Sequence, residues 1–330
     1  MINLRLKSFS LKGFRSLLLS QKFQKSDSSH RRNNFIVYLL RGKKLYSFLF
    51  DIDHSISSVS GITLVNKIVL DLPLTVISDN RIDNEDELGE YLKDIVGYFD
   101  VEPTPSLLLL DPSYFFNISI DGTDVSGDQI LGYSPHIASD TSYCLESPKD
   151  NSFSNLSFCS SSLLESWGKC LKSTGADCAY VGSFMYPIIE DISSKQSSFG
   201  ILDVHNSYST ILLSAHGKIF SKYLPFGVNQ YLNGLDFMAA DFVNRLSKTI
   251  VKFSSENSLS SPKDIFYLSD HSLDKTNSRF FNLVSITKEF ASYPVHSVAQ
   301  SASGGIQHSD AVLSASTLIS FISLSRVLNS

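Results

Sequence analysis

Gly200-Ile201-Leu202-Asp203-Val204-His205-Asn206-Ser207-Tyr208-Ser209-Thr210 combines strand, acid and turn in eleven residues. The apolar run Phe199–Leu202 closes on an acid, a polar turn follows, and Tyr208–Ser214 starts a second apolar run. After His216-Gly217, Lys218–Leu224 makes a third. Runs of this length separated by turn residues predict a three-stranded meander. About 150 residues upstream, Phe48-Leu49-Phe50-Asp51-Ile52-Asp53-His54-Ser55-Ile56-Ser57-Ser58 carries a like pattern: apolar strand, Asp, Ile, two residues, Ser. Each copy opens one half of the chain, and a repeated strand–turn unit points to a duplicated fold. A serine-rich chain also produces such a match by chance, and the pattern alone leaves both readings open.

Phe35–Leu40 and Leu45–Phe50 read as strands around an Arg41-Gly42-Lys43-Lys44 turn, and Ile62–Leu72 as a third strand. Asn84–Phe99 places Leu88, Leu92, Ile95 and Val96 at helical spacing with acids early, which predicts a helix. Ser106–Leu110 reads as a buried strand closed by Asp111-Pro112, and Phe115–Ile120 and Tyr143–Glu146 as short strands. The Ser/Asn-rich stretch from Lys149 to Ser162 reads as a loop. Leu163–Ser173 and Phe184–Ile192 read as helices around a strand at Ala179–Val181. In the second half, Tyr231–Ser255 reads as a long helix, Asp264–Leu268 as a buried strand, and Ala311–Leu328 as a closing helix.

The 330 residues carry a net charge of -5 that hides an asymmetry. Residues 1–44 hold eleven Lys/Arg and one acid, Asp27, while the remainder holds 17 basic and 32 acidic residues. An acidic body argues against nucleic acid as a partner. The basic segment 1–34 fits a loosely packed terminus, an amphipathic membrane-surface helix or an Arg- and Ser-rich transit sequence. Cys144, Cys159, Cys170 and Cys178 have no C-x-x-C spacing, so they read as free thiols rather than a zinc site. No apolar run approaches the length of a membrane span.

Phe199–Leu232, ending in Pro225-Phe226-Gly227-Val228-Asn229, resembles the second phosphate-loop region of the actin-like ATPase superfamily. Within it, the segment is most similar to the PilM family of type IV pilus assembly proteins. Other elements follow the family's order over roughly residues 35–330. The resemblance implies an α/β fold of mixed sheets. That fold is the two-lobed actin-like one, a duplicated ribonuclease H-like unit with a small inserted subdomain in lobe I. The expected boundaries are a basic segment at 1–34, lobe I at 35–194 with the insertion at about 73–148, and lobe II at 195–330.

The resemblance also implies a nucleotide cleft. Its members hold ATP between two glycine-bearing turns, with a strand-end acid on each side for Mg²⁺. Asp51 and Asp203 match those acids and would bind metal only with a nucleotide; with neither, they read as strand-end turn residues. The glycines are missing: Asp53 and His205 stand in the two turns, and Leu268-Ser269-Asp270-His271 replaces a third, glycine-rich turn. Asp51, Asp53, His54, Ser55, Asp203, His205, Asn206, Ser207, Ser269 and Asp270 therefore outline a degenerate cleft. A carboxylate about 4 Å from a phosphate charge costs several kcal/mol at an effective dielectric near 20. The expectation is a pseudo-ATPase that needs no cofactor, ATP and Mg²⁺ being the alternative if the cleft works.

The function implied is that of a cytoplasmic scaffold or adaptor of a type IV pilus or related secretion complex, peripheral to the inner membrane. Its implied partner is the N-terminal cytoplasmic peptide of a PilN-like bitopic membrane protein, docked in a groove edged by Leu107, Leu108, Leu109, Leu110, Tyr143 and Leu145. Residues 1–34 would add contact with the membrane surface. The alternative reading is an active actin-like ATPase or sugar-kinase-like phosphotransferase with atypical phosphate loops.

Overall fold

A computed structural model describes residues 33–52, 62–78, 81–102, 104–122, 126–146, 153–175, 178–193, 197–205, 207–227, 229, 236–256, 262, 264–269 and 295–297. The segment 1–32 and the expected helix Ala311–Leu328 lie outside the described residues, as do Asp53, His54, Ser55, Asn206 and Asp270.

The described residues open with three antiparallel strands, β1 (Asn33–Arg41), β2 (Lys44–Ile52) and β3 (Ile62–Asp71). Gly42 sits in the two-residue turn between β1 and β2 at φ +59°, a left-handed value that hairpin turns require and side chains with a Cβ resist. The small ladder β4 (Ile77–Ser78) and β5 (Arg81–Ile82) leads to α1 (Glu85–Phe99). Asn84 caps this helix by accepting from the Glu87 N–H, and Glu85, Asp86 and Glu87 complement the dipole of its first turn. Its face of Leu88, Leu92, Ile95 and Phe99 is buried. β6 (Ser106–Leu110) follows, buried along its whole length.

After β6 come β7 (Phe116–Asp121), α2 (Gly127–Gly132), β8 (Thr141–Glu146) and β9 (Phe153–Ser160). Then α3 (Ser161–Ser173), β10 (Cys178–Ser183) and α4 (Met185–Ser193) complete the first half. The second half holds the meander β11 (Ser198–Val204), β12 (Ser209–Ala215) and β13 (Lys218–Leu224). Helix α5 (Asp236–Glu256) and strands β14 (Asp264–Ser269) and β15 (Val295–Ser297) follow it.

Two sheets carry the duplication. The five-stranded sheet runs β10-β6-β1-β2-β3, and the eight-stranded sheet begins β15-β14-β11-β12-β13 in the same order. In both, three antiparallel strands are followed by two parallel ones. The mixed α/β class and the two-lobed duplication are therefore present. One core lies between the first sheet and the helices α1 and α3, around fully buried Trp167.

Three expectations are corrected. The expected insertion at about 73–148 includes α1 and β6, which belong to the first lobe's own core and sheet; the part that leaves that sheet is β7, α2, β8 and β9. The expected loop from Lys149 to Ser162 contains β9, buried from Phe153 to Cys159. Its serine and asparagine side chains find partners on neighbouring segments: the Ser157 hydroxyl donates to Asn117 Oδ1 of β7 at 2.7 Å, and Asn155 Nδ2 to the Gly217 carbonyl at 2.9 Å. Polar composition here serves an internal seam rather than solvent. Finally, the repeat pairs different strands from those expected. β11 corresponds to β1, whereas Asp51 closes β2 and lies opposite Asn34, at the start of β1. A hairpin reverses direction, so the end of β2 sits some seven residues, roughly 20 Å, from the end of β1.

The insertion and the second lobe share one sheet. β7 lies beside β13, with Ile118 opposite Phe220. Side chains supply much of this junction: the Asn117 N–H donates to the Ser221 hydroxyl at 2.9 Å, the Ile219 N–H to the Ser119 hydroxyl at 2.7 Å, and Lys218 pairs with Asp121 at 3.1 Å.

Candidate functional site

Where β1, β6 and β11 end, their last residues meet, the place where open α/β sheets bind ligands. β1 delivers Arg41, the residue after β6 is Asp111, and β11 delivers Asp203 with His205 just beyond it. Tyr208 closes the β11–β12 turn, which is held by the His205 N–H donating to the Tyr208 carbonyl at 2.9 Å. The Ser209 hydroxyl donates to the Phe226 carbonyl at 2.6 Å and pins the Pro225-Phe226-Gly227 turn against β12.

These residues join the two lobes. Arg41 Nη2 stands 2.5 Å from Asp203 Oδ1, with both side chains at 0% exposure. The Arg41 guanidinium also lies 4.8 Å from the centre of the Phe184 ring. His205 Nε2 is 2.8 Å from Asp203 Oδ2 and 3.2 Å from Asp111 Oδ2. The Tyr208 hydroxyl donates to Asp111 Oδ2 at 3.0 Å, and the Ser113 N–H to Asp111 Oδ1 at 3.0 Å. The His205 ring stacks on Tyr208 at 4.4 Å, and Tyr208 on Tyr223 at 5.3 Å. Arg41 and Asp111 come from the first lobe, and Asp203, His205 and Tyr208 from the second.

Charge explains the arrangement. Burial alone raises the Asp203 carboxyl, but the Arg41 guanidinium and the neighbouring His205 outweigh it and hold Asp203 below its usual range. Burial, and then the Asp111 charge, push the Tyr208 phenol far above its ordinary value, so it stays a hydrogen-bond donor. A buried pair of this kind is costly to form and more costly to halve.

Of the sequence-predicted cleft residues, the structure brings together Asp203 and His205. Ser207 is exposed on the same turn, and Ser269 ends β14 beside Val204. Asp51 is at the far end of the first sheet. Leu107, Leu108, Leu109 and Leu110 lie inside the five-stranded sheet between β1 and β10 and are too buried to edge a groove; Tyr143 and Leu145 are on β8, at the rim of the other sheet. Runs of four leucines read equally well as rim or core, and here the neighbouring parallel strands make them core. Arg41, Asp111 and Tyr208 join the site without any motif spacing that marks them in the sequence. The signal for Arg41 is a charge directly abutting the apolar run Phe35–Leu40, and that for Asp111 an acid at the exit of an all-apolar parallel strand.

The residues present do not fit a magnesium-bound triphosphate. Two buried carboxylates, Asp111 and Asp203, converge where the phosphate charge would sit, and the side-chain hydroxyl and imidazole of the β11–β12 turn take the place of open backbone N–H groups. Among the described residues, Asp111, Asp203 and His205 are the group whose ligand atoms converge enough to hold a metal ion directly. Cys159 and Cys170 are free thiols pushed up by burial to about 12 and about 11, which makes them poor ligands and nucleophiles.

A second concavity lies along the β7–β13 junction under α5. It encloses about 650 Å³ and is lined by Ile118, Ile120, Tyr133, Phe220 and Tyr223, with Asp121, Lys222, Lys252 and Glu256 around it. Tyr133 and Tyr223 are 47% and 51% exposed, so two aromatic rings flank the groove in contact with solvent.

No protein-family model matches this sequence, and no curated protein sequence matches it. Solved structures do resemble it. A PilM-PilN type IV pilus biogenesis complex matches with TM-score 0.59 and 10% identity over 91% of this chain and 99% of that one. A Bacteroides thetaiotaomicron protein of actin-like ATPase fold and unknown function matches with TM-score 0.48 and 11% identity over 81% and 91%. The cytoplasmic domain of EpsL, an inner-membrane component of the Vibrio cholerae type II secretion system, matches with TM-score 0.44 and 11% identity over 77% and 96%. The first likeness, with the repeated strand order, shows that the chain has the PilM-like, actin-like fold. Among the described residues no helix is long and apolar enough to cross a membrane.

Proposed function

We propose that this chain is a cytoplasmic scaffold of a type IV pilus or related secretion complex, peripheral to the inner membrane, that keeps the actin-like fold without binding ATP. The observation that carries this reading is the buried Arg41–Asp203 pair. It supplies the acid of the second lobe with the chain's own cation, so that lobe closure needs neither magnesium nor nucleotide. The competing reading, an ATPase or phosphotransferase, requires a triphosphate to lie against two buried carboxylates, Asp111 and Asp203, that among the described residues only one buried guanidinium, Arg41, offsets.

The partner in this reading is the N-terminal cytoplasmic peptide of a PilN-like bitopic membrane protein, and likeness to the PilM-PilN complex supports the kind of partner. The groove at the β7–β13 junction, with exposed Tyr133 and Tyr223 and mixed charges at its rim, suits a short amphipathic peptide. Residues 1–34, with eight Lys/Arg and one acid, would add attraction to an anionic membrane surface. Titrating the full chain with such peptides, read by fluorescence anisotropy, gives saturable binding in this reading. Tyr133→Asp weakens it at least tenfold, about 1.4 kcal/mol. A chain that binds no inner-membrane component of a pilus or secretion system overturns the assignment.

A further inference from the structure

We propose that Asp111, Asp203 and His205 form a nucleotide-independent site for a divalent transition metal, zinc or manganese, at the junction of the two lobes. This goes beyond the scaffold reading. It also differs from the magnesium site that the family resemblance implies, because every ligand is a side chain, one is an imidazole, and no phosphate takes part.

Geometry comes first. His205 Nε2 is 2.8 Å from Asp203 Oδ2 and 3.2 Å from Asp111 Oδ2, and the three ligand atoms all lie within 4.8 Å of one another. Metal bonds of about 2.0–2.2 Å in a tetrahedral site keep ligands roughly 3.3 Å apart. Opening the trio by a few tenths of an ångström therefore makes room for the ion. Two carboxylate oxygens and one imidazole nitrogen form a donor set that suits zinc and manganese.

Charge and rigidity agree. The two carboxylates outnumber the Arg41 guanidinium, which leaves one negative charge facing the imidazole in a buried place, so the field that opposes a phosphate attracts a cation. To face two carboxylate oxygens, Nε2 must carry a hydrogen. The metal takes its place, and the hydrogen passes to Nδ1 or to water. The outer contacts are built as well: Arg41 holds the other oxygen of Asp203, the Ser113 N–H holds Asp111 Oδ1, and the Tyr208 hydroxyl stands 3.0 Å from Asp111 Oδ2. All three ligands come from strand ends, where the sheets fix the backbone.

The test uses the full chain stripped by a chelator, with no nucleotide present, so its result is independent of whether ATP binds. Cobalt(II) is titrated as the probe and visible absorption is read. The expected result is one equivalent per chain, with the absorption of a low-coordinate nitrogen–oxygen site, displaced by added zinc. His205→Gln and Asp111→Asn weaken binding at least tenfold, while His216→Asn on an exposed turn leaves it unchanged. Wild-type protein that develops no visible band overturns the proposal whatever the variants do. Binding that survives His205→Gln, or that His216→Asn abolishes, also overturns it.

Discussion

Arg41→Met lowers the free energy of unfolding by about 3–5 kcal/mol at neutral pH, because it leaves Asp203 ionised and fully buried without its cation. The methionine side chain fills the space beside Phe184, so little of the loss comes from a cavity. An exposed ion pair would cost about 1 kcal/mol or less. The double variant Arg41→Met/Asp203→Asn recovers part of the loss, since it removes the orphaned charge. The difference also depends on pH with a definite sign. Asp203 titrates below its ordinary 3.8 in the folded chain, so the pair's contribution is fully present above that value and disappears as pH falls through the lowered one. Chemical denaturation at neutral and acid pH checks all three points: a large loss at neutral pH, partial recovery in the double variant, and a loss that shrinks in acid.

Asp111→Ala costs about 3–4 kcal/mol by a different route. Its carboxylate accepts from the Tyr208 hydroxyl and the Ser113 N–H, and lies 3.2 Å from His205 Nε2. Alanine removes the acceptor of the part-buried Tyr208 hydroxyl and Ser113 N–H and leaves His205 with Asp203 alone. Asp111→Asn keeps one acceptor and the shape, and falls between wild type and alanine. If Asp111 mattered only as a turn residue after β6, both variants would lose equally little. Unfolding measurements on the pair decide between these outcomes.

The fold was largely legible from local pattern. The β11–β13 meander announces itself through alternating apolar runs and the His216-Gly217 turn, and α1 through Asn84, three early acids and its apolar stripe. The repeat was legible as a fact but not in register. Asp51 and Asp203 both follow an apolar strand, and nothing local tells a strand that ends at the cleft from one that runs away from it; pairing with Asn34 decides that. β9 escaped notice because its serines and asparagines bond to partners 30 to 60 residues away, which composition cannot reveal. The site was half legible for the same reason. Asp203 and His205 lie in one turn, but Arg41 and Asp111 reach them across sequence separations of 162 and about 90 residues, from the ends of strands in the other lobe's sheet.

One measurement bears most directly on whether this actin-like chain has dispensed with nucleotide. Calorimetric titration of Mg-ATP into the full wild-type chain is expected to give no saturable heat up to millimolar nucleotide, with the Arg41–Asp203 pair intact. Saturable one-to-one binding that Asp203→Asn abolishes would contradict this, and would return the chain to the working ATPases.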